Sequence, residues 1–320
     1  MRGLKRLGII KFVSRHLYDI SGTSEQSVSQ HAKRLEAKLR LYVSLRTRVK
    51  EYRQSHPGIG LRKLYDQLNP EGIGRDKFID VMQTMGMQLA YKRNPQKTTI
   101  PGFLRFANKI KGILIWKENQ VWQTDITYYP IRLETYYIIF IIDIYTKYIK
   151  SYKVSKSMHA YHNVECLRQA IKESGKIDGL IHHSDCGAQF TSIDYLNLLT
   201  DNAITISMGV KGQDNAYAER INGIIKNEYL KYRKIETYKQ LKRWTKQAVH
   251  HYNTVRIHRN LPKGMSQKKF KEKLLCLTDQ ERPKVIVYAD GNSAARKDQV
   301  FLSSLTKKDL QDHICPIKWN

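Results

Sequence analysis

A chain of 320 residues with 41% hydrophobic content is long enough for two or three modules and at least one buried core. Its 56 Lys and Arg outnumber 29 Asp and Glu, and the net charge of +27 points to a polyanionic partner, because neutralising phosphates releases condensed counterions. Cys166, Cys186, Cys276 and Cys315 form no C-x-x-C pair, which excludes a sequence-local zinc site and a disulfide scaffold and fits a reducing, cytoplasmic setting. The longest apolar run, Tyr136 to Ile142, is too short to cross a bilayer, and the apolar stretch at the basic N-terminus is too brief for a signal peptide, so no membrane partner is expected.

The charge is uneven: residues 1–112 hold 23 basic and 8 acidic side chains, as a DNA-holding arm ahead of a less basic body would. Residues 24–54 lack Pro and Gly and repeat Val28, Leu35, Tyr42 and Val49 every seven positions, with Ala32 and Leu39 alongside. This predicts a long helix whose stripe serves either pairing of protomers or packing within the chain. Residues 55–100 read as two short helices around the turn NPEGIG. The first, LRKLYDQL, gathers Leu61, Leu64, Tyr65 and Leu68; the second, KFIDVMQTMG, is capped by Asp76 and lined by Phe78, Met82 and Met85. With Arg62, Lys63, Arg75 and Lys77 at their flanks, the pair suggests a DNA-binding helix-turn-helix. A basic linker is expected at 101–118.

From about residue 119 the pattern becomes α/β. VWQTDITYY, TYYIIFIIDIYT and YIKSYKV predict three strands, the second apolar enough to be buried on both faces. Helix MHAYHNVECLRQAIKES, strand IDGLIHHSD, helix SIDYLNLLTDN, short strand ITISM and two longer helices complete a catalytic core over 119–274. The order βββαβαβαα is that of a ribonuclease H-like fold, a five-stranded mixed sheet with flanking helices. In the tail, 275–320, VIVYAD could add one strand, and no function is assigned to it.

Three carboxylates stand out. Asp125 interrupts a half-buried strand, where a bare charge is costly unless it meets something positive. Asp185 ends the strand GLIHHSD. Glu219 lies on a helix whose buried face is Tyr217, Ile221, Ile224 and Ile225, and it shares its own face with Asn222, Gly223 and Lys226. In this fold the three positions converge. Like charges ~4 Å apart repel by roughly 4 kcal/mol, so such a cluster is stable mainly around a divalent cation. All-oxygen ligands favour Mg²⁺ or Mn²⁺, and a pair of such ions suits phosphoryl transfer.

The segments HPGIGLRKLYDQL, VWQTDITYY, HHSDCGAQFTS, DNAYAERINGIIKNE and YNTVRIHRNL together resemble the DDE transposases of bacterial insertion sequences, the second-reading-frame products whose core is similar to retroviral integrase. The resemblance runs from about Val49 to Leu274. It implies a metal-dependent enzyme that cleaves and joins DNA at element ends, with Asp125, Asp185 and Glu219 as metal ligands, Lys226 and Asn222 near the DNA, and a homo-oligomer assembled on duplex DNA in the nucleoid. An upstream-frame helix-turn-helix protein is a further partner the resemblance allows. The chain departs from the pattern at several points. The 33 residues between Asp185 and Glu219 are slightly fewer than usual, Gly264-Met265-Ser266 replaces the usual Thr-Pro, the N-terminus is short, and no His/Cys zinc module is present.

Other residues invite weaker readings. Asp143 is expected to be structural, His182 and His183 to pack and orient a turn, Cys186 to be no nucleophile, and Trp122 and Trp244 to be core residues. A nuclease of the same fold would not need the basic arm. A catalytically impaired relative acting as a DNA-binding repressor or inhibitor would show loss of a triad carboxylate, and all three are present.

Overall fold

The computed structural model describes Tyr18 and residues 22–89, 106–209, 212–262 and 264–288. The end of the expected helix-turn-helix window, 90–100, the first part of the expected basic linker, 101–105, Cys315 and the tail past 288 lie outside the described residues. Among the described residues two compact units emerge: one formed by those up to Glu51 with Pro70–Gln88, the other by Tyr52–Asn69 with those from Leu89 onward.

Helix α1, Glu25–Ser55, crosses from the first unit into the second. Its heptad stripe is divided: Val49 is buried, whereas Val28, Leu35 and Leu39 are exposed. The turn after α2, Leu61–Leu68, needs left-handed backbone, which Asn69 and Gly72 supply. Helix α3, Arg75–Thr84, starts two residues earlier than a cap at Asp76 would allow; Gly74 is the N-cap, and Asp76 sits in the first turn. Phe78, Val81 and Met82 are its buried side chains. The expected helix-turn-helix window is therefore shared between the two units, α2 with the second and α3 with the first.

The second unit is built on a five-stranded sheet of order β4-β3-β2-β5-β6. Strands β2 (Val121–Ile131), β3 (Glu134–Asp143) and β4 (Ile149–Ser155) form an antiparallel meander, and β5 (Ile181–Asp185) and β6 (Thr205–Gly209) add in parallel. Both sheet faces are covered, which is why β3 is apolar at almost every position. On one face Trp122, Ile139 and Ile141 cluster with Val164 and Leu167 of α4 (Tyr161–Ser174) and Tyr195 and Leu199 of α5 (Ile193–Asp201). On the other, Ile138, Phe140 and Ile142 join Tyr217 and Ile221 of α6 (Ala216–Ile224) and Leu241, Val249 and Tyr252 of α7 (Tyr238–Thr254). Helix α7 begins with a capping box between Thr237 and Gln240. Helix α8 is Gln267–Leu275.

Two expectations change here. Part of the linker window is packed: Ile110 and Ile115 are buried, and β1 (Leu114–Ile115) pairs with β7 (Val285–Ile286). The core accordingly continues beyond Leu274, with Val285 and Val287 in its apolar cluster. Trp122 is fully buried, but Trp244 is only partly so and carries the Arg233 guanidinium 4.1 Å from its ring centre.

Asp143 is buried at the end of β3, where it accepts hydrogen bonds from the Thr146 amide (2.7 Å), the Thr146 hydroxyl (2.7 Å) and the Asn119 amide (2.8 Å). Removing the acceptor strands three donors. Asp143→Ala should cost about 2–3 kcal/mol in urea unfolding, and an unchanged midpoint would show that those donors find other partners.

Candidate active site

Asp125 pairs across the sheet with Phe140 and so lies on the α6 side of the central strand. One carboxylate oxygen accepts from the Ile126 amide at 2.9 Å, and the other from the Asn222 side-chain amide at 2.7 Å. Burial, then the charge of Asp185, pushes its carboxyl up to about 7. Asp185 ends the neighbouring parallel strand β5, and its carboxylate accepts from the Gly187 amide at 3.0 Å, holding the turn that follows. Glu219 stands on α6 as a largely exposed residue, and partial desolvation of its carboxyl, followed by the charge of Asp185, raises its pKa. The three acids thus share one electrostatic neighbourhood. Among the described residues, however, no three His, Cys, Asp or Glu side chains close tightly enough to enclose a metal ion.

The sequence-predicted set is sorted by its surroundings. Asn222 is buried; its amide is committed to Asp125, and its carbonyl oxygen has no hydrogen-bond partner. It is therefore a neighbour of the carboxylate before it can be a DNA contact. Lys226 is partly buried, which lowers its pKa, and it lies where α6 widens into a π turn, Ile225–Tyr229, a distortion often found at functional sites. Lys63 is tied to Glu228. Arg62 is exposed, and Arg75 and Lys77 are exposed with local partners, Asp76 at 2.9 Å and Asp80 at 2.8 Å. His182 and His183 are buried against Tyr195 and Ser207, each at 2.8 Å, and burial pushes them down to about 3 and about 4. Cys186 donates to the Gly209 carbonyl at 3.4 Å.

Two features escaped sequence reasoning. Gln123, fully buried two residues before Asp125, donates to the Asp214 carbonyl (3.1 Å) and the Tyr288 hydroxyl (2.9 Å) and accepts from the Ala218 amide (3.2 Å), so it joins β2 to the start of the Glu219 helix. The one sequence signal was its phase with Asp125 on the strand. The second feature is Glu228, which meets His56 Nε2 at 2.8 Å, Arg256 at 3.1 Å and Lys63. Burial pushes this carboxyl up, but the His56 hydrogen bond and the Arg256 and Lys63 charges outweigh burial and hold it well below the usual carboxylate range. Around it, His56 stacks on Tyr229, and the Gly58 amide donates to the Glu228 carbonyl at 2.6 Å. A Cβ on Gly58 would come within 2.5 Å of the Glu228 Cα, so only glycine admits this approach. Gln67 and Asp66 of α2 bind the Ile257 amide (3.2 Å) and Arg259 (2.8 Å), so the segments HPGIGLRKLYDQL and YNTVRIHRNL close on one another.

Comparison with known proteins agrees with this architecture. Residues 116–214 and 201–263 each match a family described as integrase core domain. The transposase of insertion sequence element IS629 from Shigella sonnei is 32% identical over 181 residues, 55% of this chain and 61% of that protein, so the chain spans less than two-thirds of that relative. An uncharacterized transposase-like protein of Haemophilus influenzae is 31% identical over 200 residues, 61% of this chain and 91% of its own length. The magnesium-bound HTLV-2 integrase catalytic core (trimeric form) aligns with 48% of this chain and 96% of its own at 24% identity and a TM-score of 0.40, a loose likeness. Fold and matches define an integrase-type core. The chain belongs to the family of insertion-sequence transposases that carry it.

The Glu228 cluster makes a stability prediction. Glu228→Gln leaves Lys63 and Arg256 without their counter-charge and should cost about 3 kcal/mol in urea unfolding near pH 7. Because the folded-state pKa is depressed, the advantage of wild type is complete above the unfolded carboxylate pKa of about 4.3 and shrinks as pH falls below it. A gap that stayed constant down to acid pH would assign the effect to packing instead of charge.

Proposed function

We propose that this chain is a transposase that cleaves and joins DNA strands at insertion-sequence ends, with Asp125, Asp185 and Glu219 as its catalytic carboxylates. The observation that carries the reading is that acids from a central strand, an adjacent strand end and a packed helix lie close enough within a family-matched core for the charge of Asp185 to raise the pKa of both Asp125 and Glu219. Their donor set is carboxylate oxygen alone, and Asn222 adds an unpartnered buried carbonyl beside Asp125, a combination that fits a hard divalent cation. Bound there, Mg²⁺ or Mn²⁺, as one ion or two, would activate the attacking oxygen and stabilise the leaving one in an in-line displacement at phosphorus.

The chain's own residues do the rest. Asn222 fixes the rotamer of Asp125, and Gln123 keeps the Glu219 helix in register with β2. Lys226 positions a phosphate as a charge. Residues 1–112, with Arg62, Arg75 and Lys77, would hold duplex DNA mainly through its backbone. The exposed Val28, Leu35 and Leu39 row on α1 would pair with a second copy on DNA.

Glu219→Gln, Asp125→Asn and Asp185→Asn should each lower Mg²⁺-dependent strand transfer roughly a thousand-fold or more at unchanged DNA affinity, while Asp143→Asn keeps most activity. Near wild-type strand transfer by the Glu219 variant at matched affinity would remove it from the site. Binding without cleavage by the unaltered chain would favour a repressor. For Lys226, Ala should weaken engagement of the cleaved end and Arg should retain it; equal failure of both in a gel-shift and cleavage assay would rule out a positioning charge.

A further inference from the structure

Helix α7 carries no acidic residue, and Lys239, Lys242, Arg243 and Lys246 follow one another at i, i+3, i+4 and i+7. All four are exposed, on the side away from buried Leu241, Thr245, Ala248 and Tyr252. Two rings add cations from other segments to this ridge. Tyr238, anchored through its hydroxyl to the Val154 carbonyl at 2.8 Å, has Lys156 Nζ 5.4 Å and Lys242 Nζ 5.6 Å from its ring centre. Trp244 has Arg233 at 4.1 Å and Arg243 at 5.6 Å. The nearby Glu236 pairs with Lys234 at 3.3 Å. Four cations from three stretches of chain are thus gathered about two aromatic rings, with Lys239 and Lys246 extending the row, an arrangement that like-charge repulsion opposes and that a polyanion relieves.

We infer that this ridge is a second duplex-binding surface, separate from the basic N-terminal third, that grips the phosphate backbone without reading sequence. The inference rests on the transposase reading and deepens it by assigning the core its own hold on DNA. From Lys239 to Lys246 the helix rises ~10 Å, about three base-pair steps of one strand, so the row can follow successive phosphates. Lysine and arginine side chains on a regular helix, with no buried polar pocket, suit backbone contact instead of base readout.

The test uses the full chain and a fluorescent duplex of arbitrary sequence, with affinity measured by anisotropy across a salt series. Combined Lys239→Gln, Lys242→Gln, Arg243→Gln and Lys246→Gln should lower affinity about tenfold or more and flatten the log–log salt slope by roughly 0.9 for each phosphate no longer neutralised. A control with the same charge change elsewhere on the core, Lys172→Gln, Lys176→Gln, Lys268→Gln and Lys269→Gln, all exposed, should leave the slope near wild type. Lys239→Arg, Lys242→Arg and Lys246→Arg together should retain both affinity and slope. Equal losses in the ridge and control variants would make the effect one of net charge and overturn the inference, as would an unchanged slope in the ridge variant. Lack of any duplex binding by the unaltered chain would instead sink the transposase reading itself.

Discussion

The site depends on a single constraint: the central strand β2 is covered on both faces yet carries polar side chains on its α6 side. Buried polar groups must be hydrogen-bonded or they cost free energy, and each one satisfied here ties down another element. On the opposite face, Thr124 donates to the Phe140 carbonyl on β3. Gln123 engages Asp214, Ala218 and Tyr288, so the helix carrying Glu219 and the residues after α8 are registered against one side chain. Asp125 is the charged member of the row, and its partner Asn222 comes from the same helix as Glu219. Strand polarity and helix placement are therefore one problem with one solution.

The Glu228 cluster has the same role a few residues further along the chain. Its carboxylate draws Lys63 from α2 and Arg256 from the segment after α7 to the π turn that also contains Lys226. Buried ion pairs are seldom strong net stabilisers, but they penalise any arrangement that leaves one charge alone. The cluster therefore specifies where α2 sits on the second unit. It also explains why α2 groups with the integrase-type core. The loop before α2 approaches so closely at Gly58 that a side chain would force the two apart.

The basic excess is likewise not one undifferentiated property. Some of the cations are consumed internally, Lys63 and Arg256 at Glu228 and Lys150 and Lys271 at Glu118. Others, such as the α7 row, remain exposed and are concentrated by neighbouring aromatic rings. Net charge implies a polyanionic partner; only the pairing pattern separates cations available to it from those already used.

Several features were determined by the sequence alone. The meander, the apolar β3, the order of strands and helices, and the three acids at a strand, a strand end and a helix all follow from local periodicity, which side-chain alternation and helical pitch impose on residues close in the chain. The family-like segments were equally legible. The tertiary structure decided what depends on distant partners: Lys63 and Asn222, read as DNA contacts, are committed to Glu228 and Asp125; Gln123 bridges to residues 91 to 165 positions away; and β1 finds β7 across the whole core. Local pattern says which face of an element is buried, but not which buried polar group on another element will meet it. That choice is made by the free energy of satisfying each buried donor and charge once the layers have packed.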